Sequence, residues 1–254
     1  MVETALLWGG AMTPDCGGDL RVAWYGSGWE TFGMSNGSER VFADRAEAGK
    51  ILAGELRKYA GRDDVVVLGL PRGGVPVAAE VARALRAPLD VLVVRKLGAP
   101  GREELAIGAI GEGGVRVLNA GLVRSLGLGE EEVERIVARE EGELQRRVAV
   151  YRGGHEARGV QGKTVIVVDD GVATGATMRA GLQALRAMGA RTIVAAAPVG
   201  AEDSVAAVAR EADEVVVLEV PQWFRSVGQW YADFGQTTDD EVRGLLTENR
   251  RVSA

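Results

Sequence analysis

The sequence predicts an α/β protein: a parallel sheet with helices on both faces, a β-hairpin and flexible-loop insertion, and a small C-terminal aromatic hood. Three observations lead there. Short apolar runs at residues 65–70, 89–94, 165–168, 193–197 and 215–218 read as buried strands. Apolar residues at helical spacing lie between these runs, so strands and helices alternate from residue 65 onward. Two of the runs end in loops of small residues that open into a helix, which is where open α/β sheets bind ligands.

Residues 1–38 hold Trp8, Trp24, Trp29, the single cysteine Cys16 and many glycines, with no sustained period. They are expected to form a poorly ordered extension, with the domain proper over residues 39–250 and Met34 as an alternative start. Asp44 begins a helix, with Glu47 as its capping partner, a buried stripe of Ala48, Leu52, Leu56 and Tyr59, and Gly61 as its stop. The strand at 65–70 runs into Pro71-Arg72-Gly73-Gly74, and a helix starts near Pro76 with Val77, Val81 and Leu85 inward. A Gly loop opening a helix makes this a candidate anion site, to which Arg72 adds a forked donor.

The strand at 89–94 ends in Arg95-Lys96, two cations at a strand's carboxyl end, followed by a Gly/Pro-rich run at 97–104 that reads as mobile. Residues 106–110 and 115–118 read as a hairpin joined by Glu112-Gly113-Gly114. Residues 129–152 form a long charged helix whose stripe of Val133, Val137, Leu144, Val148 and Tyr151 is interrupted at Glu140-Glu141. It should pack on the sheet edge or on another subunit, and a homo-oligomer is expected. His155, in an Arg- and Gly-rich linker, reads as a surface residue.

The most informative stretch is Val165-Ile166-Val167-Val168-Asp169-Asp170-Gly171-Val172-Ala173-Thr174-Gly175-Ala176-Thr177. A helix follows, with Met178, Leu182, Leu185 and Met188 on one face and Gly189 as its stop. The small residues let a ligand approach the backbone. The first helical amides are unpaired, and the helix dipole turns its positive end to the loop. This is a phosphate site, and Thr174 and Thr177 add hydroxyls. A Walker A loop is excluded because position 176, before the final Thr, is Ala where that loop needs Lys. Asp169 and Asp170 would repel a phosphate, so they suit hydroxyls or a divalent metal beside it. A phosphate next to hydroxyls held by paired carboxylates describes a ribose 5-phosphate. A metal hydrolase would account for the acidic pair but not for the Thr-Gly-Ala-Thr loop.

Near the C-terminus, Trp223, Phe224, Trp230, Tyr231 and Phe234 cluster in a chain with 5% aromatics. Flat faces of this kind hold a ring, or else cover the sheet edge, a reading open above all for Trp223 and Trp230.

The strand, acidic pair and Thr-x-x-Thr loop at 165–177 resemble the phosphoribosyl diphosphate motif of type I phosphoribosyltransferases, and the resemblance extends over roughly residues 42–247. It implies the matching fold and a Mg2+-dependent transfer of the 5-phosphoribosyl group from phosphoribosyl diphosphate to a nitrogen of a nucleobase-like acceptor, with release of diphosphate. Ala173, Thr174, Gly175, Ala176 and Thr177 would take the 5-phosphate. Asp169 and Asp170 would hold the ribose hydroxyls and, through water, the metal. Arg72, Gly73, Gly74, Arg95 and Lys96 would take the diphosphate, under a flexible loop that closes, with Lys96 acting in catalysis beside the acidic pair. Phe224, Val227, Tyr231, Asp233 and Phe234 would form the base hood. The chain departs from the family in two places. Ala173 stands where hypoxanthine-guanine enzymes carry an acid, and the spacing from Val227-Gly228 to Asp233-Phe234 is longer by one residue. The alternatives are a non-catalytic regulator that senses phosphoribosyl diphosphate or nucleotides, and a hydrolase of phosphorylated sugars.

Composition narrows the partners. The net charge is −6, which gives no bulk attraction to nucleic acid or acidic membranes. A polyphosphate must therefore meet local positive charge. A single cysteine permits no internal disulfide, and no apolar run reaches membrane-spanning length. With no signal-peptide pattern, a cytoplasmic protein is expected.

Overall fold

The computed structural model describes residues 20–25, 28–34 and 40–252, and the side chains of residues 40–102 and 105–251. In chain order the elements are strands β1 (Leu20–Tyr25) and β2 (Gly28–Met34), helix α1 (Arg45–Glu55), β3 (Val65–Gly69), α2 (Gly74–Leu85) and β4 (Leu89–Val91). Then come β5 (Val94–Ala99), β6 (Arg102–Gly111), β7 (Arg116–Leu118), α3 (Ala120–Ser125) and α4 (Glu130–Arg152). The chain continues with β8 (Thr164–Val168), α5 (Ala176–Ala187), β9 (Thr192–Val199), α6 (Glu202–Ala209), β10 (Glu214–Val220) and α7 (Asp239–Val252).

The main sheet runs β2-β1-β10-β9-β8-β3-β4. Its five strands from β10 to β4 are mutually parallel, as predicted. Their residues alternate between two cores, as the pleat requires. Val65, Val67, Ile166, Val168, Val194 and Ala196 face α1, α2 and α7. Val66, Leu68, Val165, Val167, Ile193 and Ala195 face α5 and α6. Burial on both faces explains why each strand reads as an unbroken apolar run. Helix α1 is capped as predicted: Asp44 Oδ1 accepts from the Glu47 amide at 2.7 Å, and Ala48, Leu52, Leu56 and Tyr59 are buried.

Two expectations are corrected. Within the stretch expected to be irregular, β1 and β2 form an antiparallel pair, and β1 runs along β10. The register of β1 shifts between Leu20 and Val22; residues 1–19 lie outside the described residues. The run at 97–104 is no loop. β5 and β6 are paired strands joined at Pro100-Gly101, with Gly101 at φ +67. Leu97, Ala99, Ile107 and Ala109 alternate inward and are buried, so a period of two was present beneath the Gly/Pro composition. β5, β6 and β7 make a separate antiparallel sheet, and Arg95 and Lys96 lie inside β5 instead of capping β4.

Helix α4 packs on β5 and β6. Its charged interruption has a structural use: the buried Glu140 carboxylate accepts from Arg95 Nε and Nη2 at 2.9 and 2.6 Å. At its end Arg152 reaches Asp90 Oδ1 at 3.1 Å and also pairs with Glu112. These pairs tie α4 to the edge of the main sheet and to the antiparallel insertion.

Candidate active site

The chain reverses its direction of sheet growth between β3 and β8: β4 lies to one side of β3, and β8, β9 and β10 follow on the other. Such a switch point opens a crevice at the carboxyl ends of the strands. Both predicted anion loops emerge there, side by side. Gly69 pairs with Val168, and the Leu70 amide donates to Val168 O at 2.9 Å. The loops touch closely: a Cβ on Gly73 would lie 2.0 Å from Asp170 Oδ2, and one on Gly74 would lie 2.5 Å from the Val168 carbonyl oxygen.

Residues 173–177 wrap a cavity of about 130 Å³ that also touches Asp169, Gly171 and Met178. Gly175 turns into α5 at φ +68, a conformation that favours glycine. As the N-cap of α5, Gly175 brings no capping side chain; Thr174 Oγ1 accepts from the Ala176 amide at 3.4 Å, and the positive end of the helix dipole still faces the cavity. Ser204 Oγ donates to Ala173 O at 2.7 Å and ties the loop to α6.

The acidic pair sits at the end of β8. Asp169 Oδ1 accepts from the Asp170 amide at 2.9 Å. Burial first, and then the neighbouring Asp170 charge, raise Asp169 well above the usual carboxylate range, with Arg45 opposing. Burial also raises Asp170, against the hydrogen bond and charge of Arg45. Arg45 is the site residue that sequence reasoning missed. Its Nε lies 2.8 Å from Asp170 Oδ2, its Nη1 donates to Gly235 O at 2.7 Å, and its guanidinium covers the Phe234 ring at 4.0 Å. One signal was available: an arginine at the first residue of a helix opposes the helix dipole and calls for an acidic partner.

The aromatic hood closes on this pair. Tyr231 donates its hydroxyl to Asp170 O at 2.6 Å, and its ring centroid lies 5.1 Å from Phe234 and 5.6 Å from Phe42. Val227 packs where a Cβ on Gly171 would sit, at 2.5 Å from its Cγ1. Backbone bonds from Phe42 N to Trp230 O and from Ala232 N to Phe42 O, both 2.8 Å, stitch the start of the domain to the hood. Phe42 was also missed, because its neighbours in sequence give it no pattern. Of the other hood candidates, Phe224 is half-buried, and Asp233 is exposed with Oδ1 accepting from the Gly235 amide at 3.0 Å, a turn contact. Trp230 is buried core, while Trp223 is exposed.

The diphosphate candidates separate. Gly73 and Gly74 lie against the acidic pair. Arg72 instead lies 3.9 Å from Asp239, in a cavity bordered by α4 and α7. Arg95 is engaged by Glu140, with Nη2 2.6 Å from Oε2. Lys96 is half-buried on β5, opposite Ala109.

Magnesium takes one or two carboxylates and completes its shell with water and substrate phosphates. Asp169 and Asp170 are two adjacent carboxylates whose proton affinity burial raises, and Asp170 meets the Arg45 cation at 2.8 Å. No cluster of three or more His, Cys, Asp or Glu suited to a metal occurs among the described residues. Two adjacent carboxylates fit the one or two that Mg2+ takes from a protein.

A switch-point sheet with an acidic pair, a Thr-Gly-Ala-Thr loop and a C-terminal hood defines the type I phosphoribosyltransferase class. The model of the phosphoribosyl transferase domain matches residues 42–234, and the chain belongs to that family. Two proteins of Mycobacterium tuberculosis, from strains CDC 1551 / Oshkosh and ATCC 25618 / H37Rv, have names that assign them provisionally as phosphoribosyl transferases. Each is 51% identical over 212 residues, covering 84% of this chain and 48% of the relative. The chain thus spans about half the length of these relatives. The crystal structure of TT1426 from Thermus thermophilus is similar at 46% identity and a TM-score of 0.76, over 82% of this chain and 98% of that one.

Proposed function

We propose that the protein is a Mg2+-dependent phosphoribosyltransferase that moves the 5-phosphoribosyl group from phosphoribosyl diphosphate to a ring nitrogen of a nucleobase-like acceptor. The observation that carries this reading is the abutment of Gly73 on Asp170, which joins two anion loops and an acidic pair in one crevice.

In this reading residues 173–177 hold the 5-phosphate with the α5 amides and the hydroxyls of Thr174 and Thr177. Asp169 and Asp170 orient the ribose hydroxyls. The amides of Arg72 and Gly73, with Lys96, receive the diphosphate. Phe234, Tyr231 and Val227 cover the acceptor and exclude water. The C1–O bond to diphosphate breaks as the nitrogen–C1 bond forms, through an oxocarbenium-like transition state. Magnesium, when bound with the substrate, neutralises charge on the leaving diphosphate. The chain's own contribution is orientation and fixed dipoles, and loss of one such donor typically costs roughly 2.7–4 kcal/mol in barrier.

The test is diphosphate release by the full chain from phosphoribosyl diphosphate and Mg2+, across a panel of bases and amines, beside calorimetric binding of the same substrate. Turnover with a nitrogen acceptor, and loss of binding in Asp169→Asn, support the reading. Binding without turnover on any acceptor assigns the protein to sensing. Diphosphate-free hydrolysis of sugar phosphates assigns it to hydrolysis.

A further inference from the structure

A cavity of about 420 Å³ lies between the 71–74 loop, the last turns of α4 and the start of α7. Its polar lining is Arg72, Arg146, Arg147, Tyr151 and Asp239. Three guanidiniums meet there in a chain of net charge −6. Helical spacing explains the assembly: Arg147 and Tyr151 are four residues apart and share a face of α4. Charge compensation is incomplete. Among the described residues Glu143 alone serves both helix arginines, accepting from Arg146 Nε at 2.8 Å and from Arg147 Nε at 2.7 Å. Those two cations hold its carboxyl down to about 2. Arg72 faces Asp239 at 3.9 Å, longer than a hydrogen bond. Two carboxylates thus balance three cations, and one of the ion pairs is loose.

We propose that this cavity is a phosphate site separate from the 173–177 loop, taking inorganic phosphate or the phosphate group of a larger ligand between Arg72, Arg146 and Arg147. Guanidinium forks match phosphate oxygens bidentately. The Tyr151 hydroxyl, held neutral by burial and by the Asp239 charge, donates to Asp239 and so ties that carboxylate to the cavity wall. The volume lies within the range of small-molecule sites. Arg72 also belongs to the loop that carries Gly73, so an anion here is coupled to whatever occupies that loop, and the coupling is reciprocal.

The experiment is calorimetric titration of inorganic phosphate into the full chain saturated with ribose 5-phosphate, which keeps the 173–177 loop occupied. The wild type should bind phosphate. Arg146→Gln with Arg147→Gln should weaken that binding about ten- to hundredfold, with ribose 5-phosphate affinity unchanged. Glu143→Gln, which removes the competing carboxylate, should tighten it. No phosphate binding by the saturated wild type overturns the proposal. So does undiminished binding by the double variant, or unchanged binding by Glu143→Gln.

Discussion

Arg45 Nε and Asp170 Oδ2 meet at 2.8 Å although 125 positions separate them in the chain. Their side chains are only 12% and 13% exposed. The pair joins the first turn of α1 to the end of β8, and Phe234 lies on the guanidinium face. The start of the domain, the acidic pair and the hood are therefore one unit.

Removing the cation should destabilise that unit. Arg45→Met leaves a largely buried carboxylate beside Asp169 without its partner. Breaking such a pair costs about 3 kcal/mol, or roughly 6–12 °C in Tm at this chain length. Thermal melts of Arg45→Met, Asp170→Asn and the double variant form a cycle. The double variant should recover part of the loss, and strict additivity would mean that the contact contributes nothing.

The acidic pair should also shape stability against pH in magnesium-free, chelated buffer. Asp169 binds its proton more tightly folded than unfolded. Its stabilising contribution is then fully present below the ordinary carboxylate pKa of about 3.9 and is lost as pH rises through the raised folded value. Asp169→Asn should melt higher than the wild type at pH 8, with the difference shrinking toward pH 4. Parallel pH–Tm curves for the two proteins would contradict this.

Close approach of the two loops makes Gly73 intolerant of a methyl group. Gly73→Ala should drive the 71–74 loop from Asp170, costing about 1–3 kcal/mol and most of the affinity for phosphoribosyl diphosphate. Gly142, inside α4, has open space around its Cα. Gly142→Ala should instead stabilise by about 0.5–1 kcal/mol through helix propensity. Melting both variants and titrating each with substrate checks the contrast, and equal behaviour would refute it.

Deleting residues 1–34 should lower Tm by several degrees and promote self-association. β1 pairs with β10 from Leu20↔Val220 to Tyr25↔Glu214, and its removal bares a row of backbone donors and acceptors on an apolar strand. An unchanged melting temperature in a monodisperse sample would show that the edge pair adds no stability.

Local chemistry made much of this protein legible in its sequence. Val165-Ile166-Val167-Val168 had to be a buried strand, Asp44 had to cap a helix, and residues 173–177 had to form a small-residue loop opening into a helix. In each case the physical cause lies within a few residues: period, cap, turn and dipole. The sequence also placed both anion loops at strand ends, because alternating strands and helices allow one handed way of winding. Tertiary structure alone decided which distant groups meet. Many arginines follow many acids along this chain, and nothing local selects Arg45 for Asp170, Arg95 for Glu140, or Arg72 for the cavity beside Arg146 and Arg147. Those choices depend on strand order, on the packing of α4 against the β5–β6 pair, and on the bonds that bring Phe42 to the hood. They belong to the three-dimensional crossing of elements, where Coulomb attraction and burial act across space and sequence neighbours carry no record of them.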